Sequence, residues 1–306
     1  MKTLLVPLIV GFFAVQAVRG AALTNSPVAD TTLFEVAPDN NLGRSSLAVG
    51  SVAAAGAGAR GRALLRFDLS AIPANAVVES ASLRFTVIQG PFGGVASSFG
   101  VHRFLKPWTE GTGAGNQGVL AQNGETTWRS QFHGSSLWSQ PGSTSGSDYA
   151  VSSSGSVEVN AVATYAISDP GIAADIQAWV SGAATNHGWI MISDGEGTQT
   201  TARRVGSRES LSGAPSLEVQ YTVRPADPVP RITSAAKTNN QFELRFTVPS
   251  SYCYEVQFRD SLTSGSWAPL TNICASAADV PAVATNSLAA PQRFYRLFIS
   301  GRSPPQ

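Results

Sequence analysis

The chain has 306 residues, of which 43% are hydrophobic and 13% charged, and a formal net charge of +1. So low a charged share, about half the usual one, argues against a fold of charged surface helices, and near-zero net charge excludes a general attraction to nucleic acid or anionic membranes. Residues 24–222 carry 11 Lys/Arg against 15 Asp/Glu and residues 223–306 carry 8 against 5, so a polyanion bound by the larger part must meet a local patch.

Met1-Lys2-Thr3 leads into a nearly unbroken apolar run from Leu4 to Val18, followed by Arg19-Gly20-Ala21-Ala22. A charged start, an apolar run of about 15 residues and small residues after it predict a signal peptide over residues 1–20, cut near Gly20 or Ala22. The run falls short of the roughly 20 residues that a membrane span requires. The expected location is therefore secreted, extracellular or at the cell surface, and the expected chain is not membrane-spanning.

From Leu23 onward short alternating segments are parted by Gly, Ser, Pro and Asn clusters, the pattern of an all-β sandwich. In Arg62–Leu69 the residues Leu65, Phe67 and Leu69 share one face and Leu64, Arg66 and Asp68 the other; Ser70-Ala-Ile-Pro73 then turns the chain. Val77–Val87 repeats the alternation, with Ala81, Leu83, Phe85 and Val87 on one side. Between Phe104 and Ser156 a Gly- and Ser-rich stretch holds Trp108, Trp128 and Trp138. Asp169-Pro170 can cap and start a single helix carrying Ile172, Ile176, Trp179 and Val180, which Gly182 can end. Trp189–Ile192 and Ser216–Val223 predict closing strands. Residues 223–230, with three prolines among the last six positions, predict an extended linker. Residues 231–300 form a second alternating set of the size of a small immunoglobulin- or fibronectin-like sandwich. Cys253 and Cys274 lie in this part, and in an exported protein such a pair favours a disulfide.

Asp30-Thr-Thr-Leu-Phe-Glu35, Pro38-Asp-Asn-Asn-Leu-Gly43 and Arg62–Leu69 with Ser70-Ala-Ile-Pro73 resemble the opening of DNRLRE-domain proteins. Trp108-Thr-Glu-Gly111, Thr127-Trp128, Asp175–Trp179, Asn186-His-Gly-Trp189, Ser207-Arg-Glu209 and Pro215–Val219 follow in that family's order. The resemblance covers residues 24–222. It implies a jelly-roll-like β-sandwich of secreted and surface proteins, similar to carbohydrate-binding module family 96, some members of which bind alginate. The Gly/Ala-rich Ser51–Gly61 and the expanded Gly111–Gly155 depart from the pattern. The last segment, with Tyr254–Leu262, Gly265-Ser-Trp267 and Pro291–Leu297, looks like a small C-terminal sandwich of secreted proteins from Verrucomicrobia-like bacteria, which implies a spacer or attachment role.

Carbohydrate binding needs aromatic surfaces for sugar rings and polar groups for hydroxyls. Trp108, Trp128 and Trp138 are the candidate platforms; the competing reading has them anchoring their own long loop. Trp179 and Trp189 lie in apolar surroundings, as core residues do. Arg203, Arg204 and Arg208 are candidates to hold uronate carboxylates, against a plainer role in ion pairs with Glu196 or Glu209. No cofactor is required, but a structural calcium is a candidate, with Asp30, Asp39, Asn41 and Glu209 as ligands. For catalysis the signals are poor: His102, His133 and His187 lie in no metal or nucleophile motif, and Glu110 and Glu125 flank the Trp-rich loop without a sequence reason to converge. Gly56-Ala-Gly-Ala-Arg-Gly61 precedes a strand where a dinucleotide site needs a helix. The expected function is non-catalytic binding of a polysaccharide or cell-surface glycan, such as acidic alginate. The alternative is a structural or adhesive member of a surface protein assembly; a polysaccharide lyase or hydrolase is the weaker third reading.

Overall fold

A computed structural model describes residues 19–53, 57, 59–223, 231–238, 241–276, 278–287 and 293–302. Residues 1–18 of the expected 1–20 signal peptide, residues 224–230 of the expected 223–230 linker and part of the Gly/Ala-rich stretch lie outside the described residues; Arg19 and Gly20 belong to a strand, and Val223 ends another instead of opening the linker. The chain divides into two compact units, one reaching Pro225 and the other starting at Ala226. Both are all-β and antiparallel.

In chain order the larger unit contains β1 (Arg19–Asn25), β2 (Pro27–Phe34), β3 (Asn40–Asn41), β4 (Leu47–Ser51), β5 (Arg60–Phe67), β6 (Ala76–Gln89) and β7 (Ser97–Arg103). The short strands β8 (Val119–Leu120), β9 (Ser130–Phe132) and β10 (Ser136–Leu137) follow, then β11 (Gly155–Val159), β12 (Thr164–Ile167), α1 (Pro170–Val180), β13 (Trp189–Ser193), β14 (Arg203–Val205) and β15 (Ser216–Val223). One layer runs β1-β15-β6-β12 and the other β2-β5-β13-β7-β11. Along one side β4 and β14 join the layers into a curled sheet: β14 pairs with β6 and β4, and β4 pairs with β5 through Gly50 opposite Gly61. β1 matches β15 from Arg19 opposite Val223 to Asn25 opposite Leu217. Cleavage after Gly20 would leave five of those pairings and cleavage after Ala22 three.

Period-2 alternation builds the core between the layers. Ala81, Leu83, Phe85 and Val87 of β6 point in, facing Leu65, Phe67, Phe99, Val101, Trp189 and Met191, while Ser80 and Arg84 point out. The helix closes one end of this core with Ile172, Ile176 and Trp179. Pro170 starts it as expected, but Asp169 makes no side-chain cap; its Oδ2 accepts a bond from the Ser156 N–H instead. Gly182, at φ +75°, follows the helix, where the left-handed conformation favours glycine.

β5 and β13 are buried on both faces. Leu65, Trp189 and Met191 enter the central core; Leu64 and Ile190 enter a second apolar cluster with Ala29, Leu33, Phe104, Trp108, Trp128 and Trp138. The loop between β7 and β11 thus covers one outer face of the sandwich as a third layer.

The smaller unit is a sandwich of two three-stranded sheets. β16 (Arg231–Thr238), β17 (Gln241–Val248) and β20 (Val280–Ser287) form one; β19 (Ala268–Ala275), β18 (Tyr252–Arg259) and β21 (Phe294–Arg302) form the other. Leu244, Phe246, Val248, Tyr254 and Val256 fill the space between them. A disulfide joins Cys253 to Cys274, which stand opposite each other on β18 and β19. Among the described residues, no helix is long and apolar enough to cross a membrane.

Candidate functional site

The structure corrects the assignment of Trp108, Trp128 and Trp138 as stacking platforms. They are 2%, 3% and 5% exposed, so no sugar ring can reach their faces. Trp108 Nε1 donates to the His187 carbonyl (2.8 Å) and Trp138 Nε1 to the Thr127 carbonyl (2.9 Å), while Phe104 meets Trp138 edge-on at 5.5 Å. Arg60 and Arg62 lie over Trp128 at 5.0 and 5.5 Å. Gly142, at φ +85°, presses against the same ring: a Cβ there would stand 2.5 Å from Trp128 Cζ2. Arg62 then fastens the loop, bonding the Gly142 and Ser143 carbonyls and the Glu196 carboxylate. An irregular segment this long must bury apolar area of its own to stay ordered, and these rings supply it.

A cleft of about 350 Å³ opens where β4, β14 and the end of β6 meet the covering loop. Arg203, Arg204, Gln89, Asn116, Gln117, Phe34 and the backbone at Gly50, Gly61 and Gly90 line it. Its size falls within the range of small-ligand sites. Arg204 is half-buried, with its guanidinium 5.9 Å over the Phe34 ring and bonded to the Ser46 and Asn116 carbonyls (3.2 and 2.6 Å). Arg203 is 3% exposed and bonded to the carbonyls of Thr200, Ala202 and Val95, beneath the Gly90–Gly94 turn. Among the described residues neither guanidinium meets a carboxylate. Burial pulls both pKa values below the usual arginine value. The expected pairing with Glu196 does not occur, because Glu196 belongs to Arg62.

Arg208 stands apart from that pair. Its Nε meets Glu110 Oε1 (2.6 Å) and Glu209 Oε1 (3.0 Å), and its backbone N–H donates to Asp30 Oδ2 (2.7 Å). One carboxylate oxygen each of Asp30, Glu110 and Glu209 lies within 4.8 Å of the other two. Asp30 is wholly buried, and burial pushes its pKa to about 8, with the nearby Glu209 and Glu110 charges adding to the rise against the Arg208 backbone bond.

Of the four residues considered for calcium, Asp30 and Glu209 therefore come together and the other two do not. Asp39 pairs with Arg129. Asn41 is buried and saturated: Oδ1 accepts from the N–H groups of Gly43 (3.0 Å) and Gly113 (2.8 Å), and Nδ2 donates to the carbonyls of Glu110 (2.7 Å) and Thr126 (3.0 Å). It pins the covering loop to the sandwich and has no atom left for a cation. Glu110, read from the sequence only as a catalytic candidate beside Glu125, is the third carboxylate that meets Asp30 and Glu209. Glu125 braces the loop, accepting from Thr112 N–H and Oγ1–H and from Gln122 N–H. His102 Nδ1 lies 3.0 Å from the Ala150 carbonyl, with the ring edge-on to Tyr149.

Sequence reasoning missed Gln89, Asn116, Gln117 and Phe34 as cleft residues, since only the closing of β4 on β14 brings these distant positions together. The meeting of Asp30, Glu110 and Glu209 had a faint signal in the motifs that contain them. Compared with known proteins, the chain matches no family model and no curated sequence.

Proposed function

We propose that the chain is an exported, non-catalytic binding protein for an acidic polysaccharide, which takes up a uronate-bearing segment in the cleft between β4, β14 and the covering loop. The observation that carries this reading is the pair Arg203 and Arg204, two guanidiniums tied to carbonyl oxygens with no carboxylate beside them among the described residues. A partly desolvated cation without a counterion is stabilised by an incoming anion more than a solvated one is. Among the described residues Arg204 keeps unused N–H donors for a carboxylate, and Gln89, Asn116 and Gln117 line the same cleft with amides of the kind that suit sugar hydroxyls. The sequence resemblance to alginate-binding modules supports the same ligand class, and the apolar leader and the disulfide support export.

Affinity electrophoresis of the full chain in gels containing alginate, polygalacturonate or neutral xylan tests this. Retardation is expected in the uronate gels alone, weakened by salt and lost in Arg204→Ala. Equal mobility in all three gels sinks the reading and leaves the structural scaffold as the better account. Retardation by xylan that Arg204→Ala does not alter sinks the carboxylate assignment.

A further inference from the structure

Asp30, on β2, is carried into the protein with no exposed surface. Oδ2 accepts the Arg208 N–H, whereas Oδ1 is buried and, among the described residues, has no hydrogen-bond partner. A buried carboxylate oxygen left bare is costly, and native structures supply such groups with a partner. The groups around it make the cost larger. Glu110 uses Oε1 for the Asp30 N–H (2.9 Å) and Arg208 Nε, leaving Oε2 without a hydrogen bond among the described residues. Glu209, exposed at the surface, shares the same guanidinium. Three carboxylates thus face one arginine, an excess of two negative charges when all are ionised.

We infer that Asp30, Glu110 and Glu209 bind a calcium ion, which fastens the loop after Trp108 and the loop after β14 to strand β2. The donors are all hard oxygens, the set that calcium prefers. Calcium accepts six to eight oxygens in irregular geometry at about 2.3–2.6 Å, whereas magnesium demands a near-ideal octahedron at about 2.0–2.1 Å and dehydrates reluctantly, so an irregular set of carboxylates from three separate segments favours calcium. One oxygen from each of the three residues lies within 4.8 Å of the others, close enough for one cation to gather them. The exposed Glu209 side leaves water to complete the six to eight ligands. This site is independent of the polysaccharide reading, since it shares no residue with the cleft.

Thermal unfolding of the full chain, freed of metal by EGTA and dialysed, tests the assignment at pH 7.5. With the modest affinity of extracellular calcium sites, 5 mM calcium chloride is expected to raise the midpoint by about 5 °C, and 5 mM magnesium chloride by much less. Glu209→Gln, at an accessible position that leaves the core intact, and the isosteric Asp30→Asn are both expected to abolish the rise. A wild-type midpoint that calcium moves by less than about 1 °C overturns the site. A rise that survives in both variants places the ion elsewhere, and an equal rise with magnesium overturns the choice of calcium. Terbium luminescence provides a readout that does not depend on stability: bound terbium should be displaced by calcium in the wild type and be absent in Glu209→Gln.

Discussion

Replacing Trp138 by alanine separates a buried anchor from a surface platform. The ring is 5% exposed, packs on Phe104 and holds the Thr127 carbonyl, so truncation opens a cavity and strands a buried acceptor. Large-to-small changes at buried tryptophans cost about 3–5 kcal/mol, and an orphaned carbonyl adds about 1 kcal/mol. For a unit of this size each kcal/mol lowers the midpoint by roughly 2–4 °C, so Trp138→Ala should unfold about 10 °C or more below the wild type. Tryptophan fluorescence follows the right unit, because five of the six tryptophans lie before Pro225. Trp138→Phe, which keeps most of the apolar area, should lose less than half as much. A Trp138→Ala midpoint within about 2 °C of the wild type would refute the third-layer assignment and return the ring to the list of ligand contacts.

Asn41→Ala deletes four hydrogen bonds at once, three of them buried and one part-buried, and the resulting loss of about 4 kcal/mol should appear in urea unfolding; it should also be accompanied by proteolytic cutting between residues 105 and 155, where Asn41 ties the loop down. Uncut loop and unchanged midpoint would contradict that role. His187 titrates below its ordinary value because burial disfavours the imidazolium, with the Arg66 charge adding to the effect. Its folded pKa is thus depressed: its contribution is intact above about pH 6.5 and is lost as pH falls toward the folded value. His187→Gln should therefore lose less stability than the wild type between pH 7.5 and pH 5, and parallel losses in the two proteins would count against it.

The strands of the central core were legible because their chemistry is local. The alternation of Ala81, Leu83, Phe85 and Val87 with polar neighbours reports a sheet with one wet face, and the chain folds that way. The same rule misjudged β5, where Leu64 and Leu65 are both buried because the covering loop supplies a second apolar surface that no nearby residue announces. Trp179 and Trp189 were read as core from apolar neighbours in sequence and are core. Trp108, Trp128 and Trp138 sit among Gly and Ser, and that setting resembles an exposed loop until the outer face of β5 and β13 is seen beneath them.

Sequence alone determined the strand periods, the single helix starting at Pro170, the pairing of Cys253 with Cys274 as the preferred state, and the near-zero net charge that leaves any polyanion to a local patch. Tertiary structure decided which charges have partners. Arg203, Arg204 and Arg208 are near neighbours in the chain, yet the first two turn toward carbonyls in a cleft and the third into a nest of carboxylates. Whether an arginine is available to a ligand depends on counter-charges such as Glu110 and Asp30, 98 and 178 positions from Arg208, and only the closed sandwich brings them beside Arg208 while leaving Arg204 without an anion among the described residues.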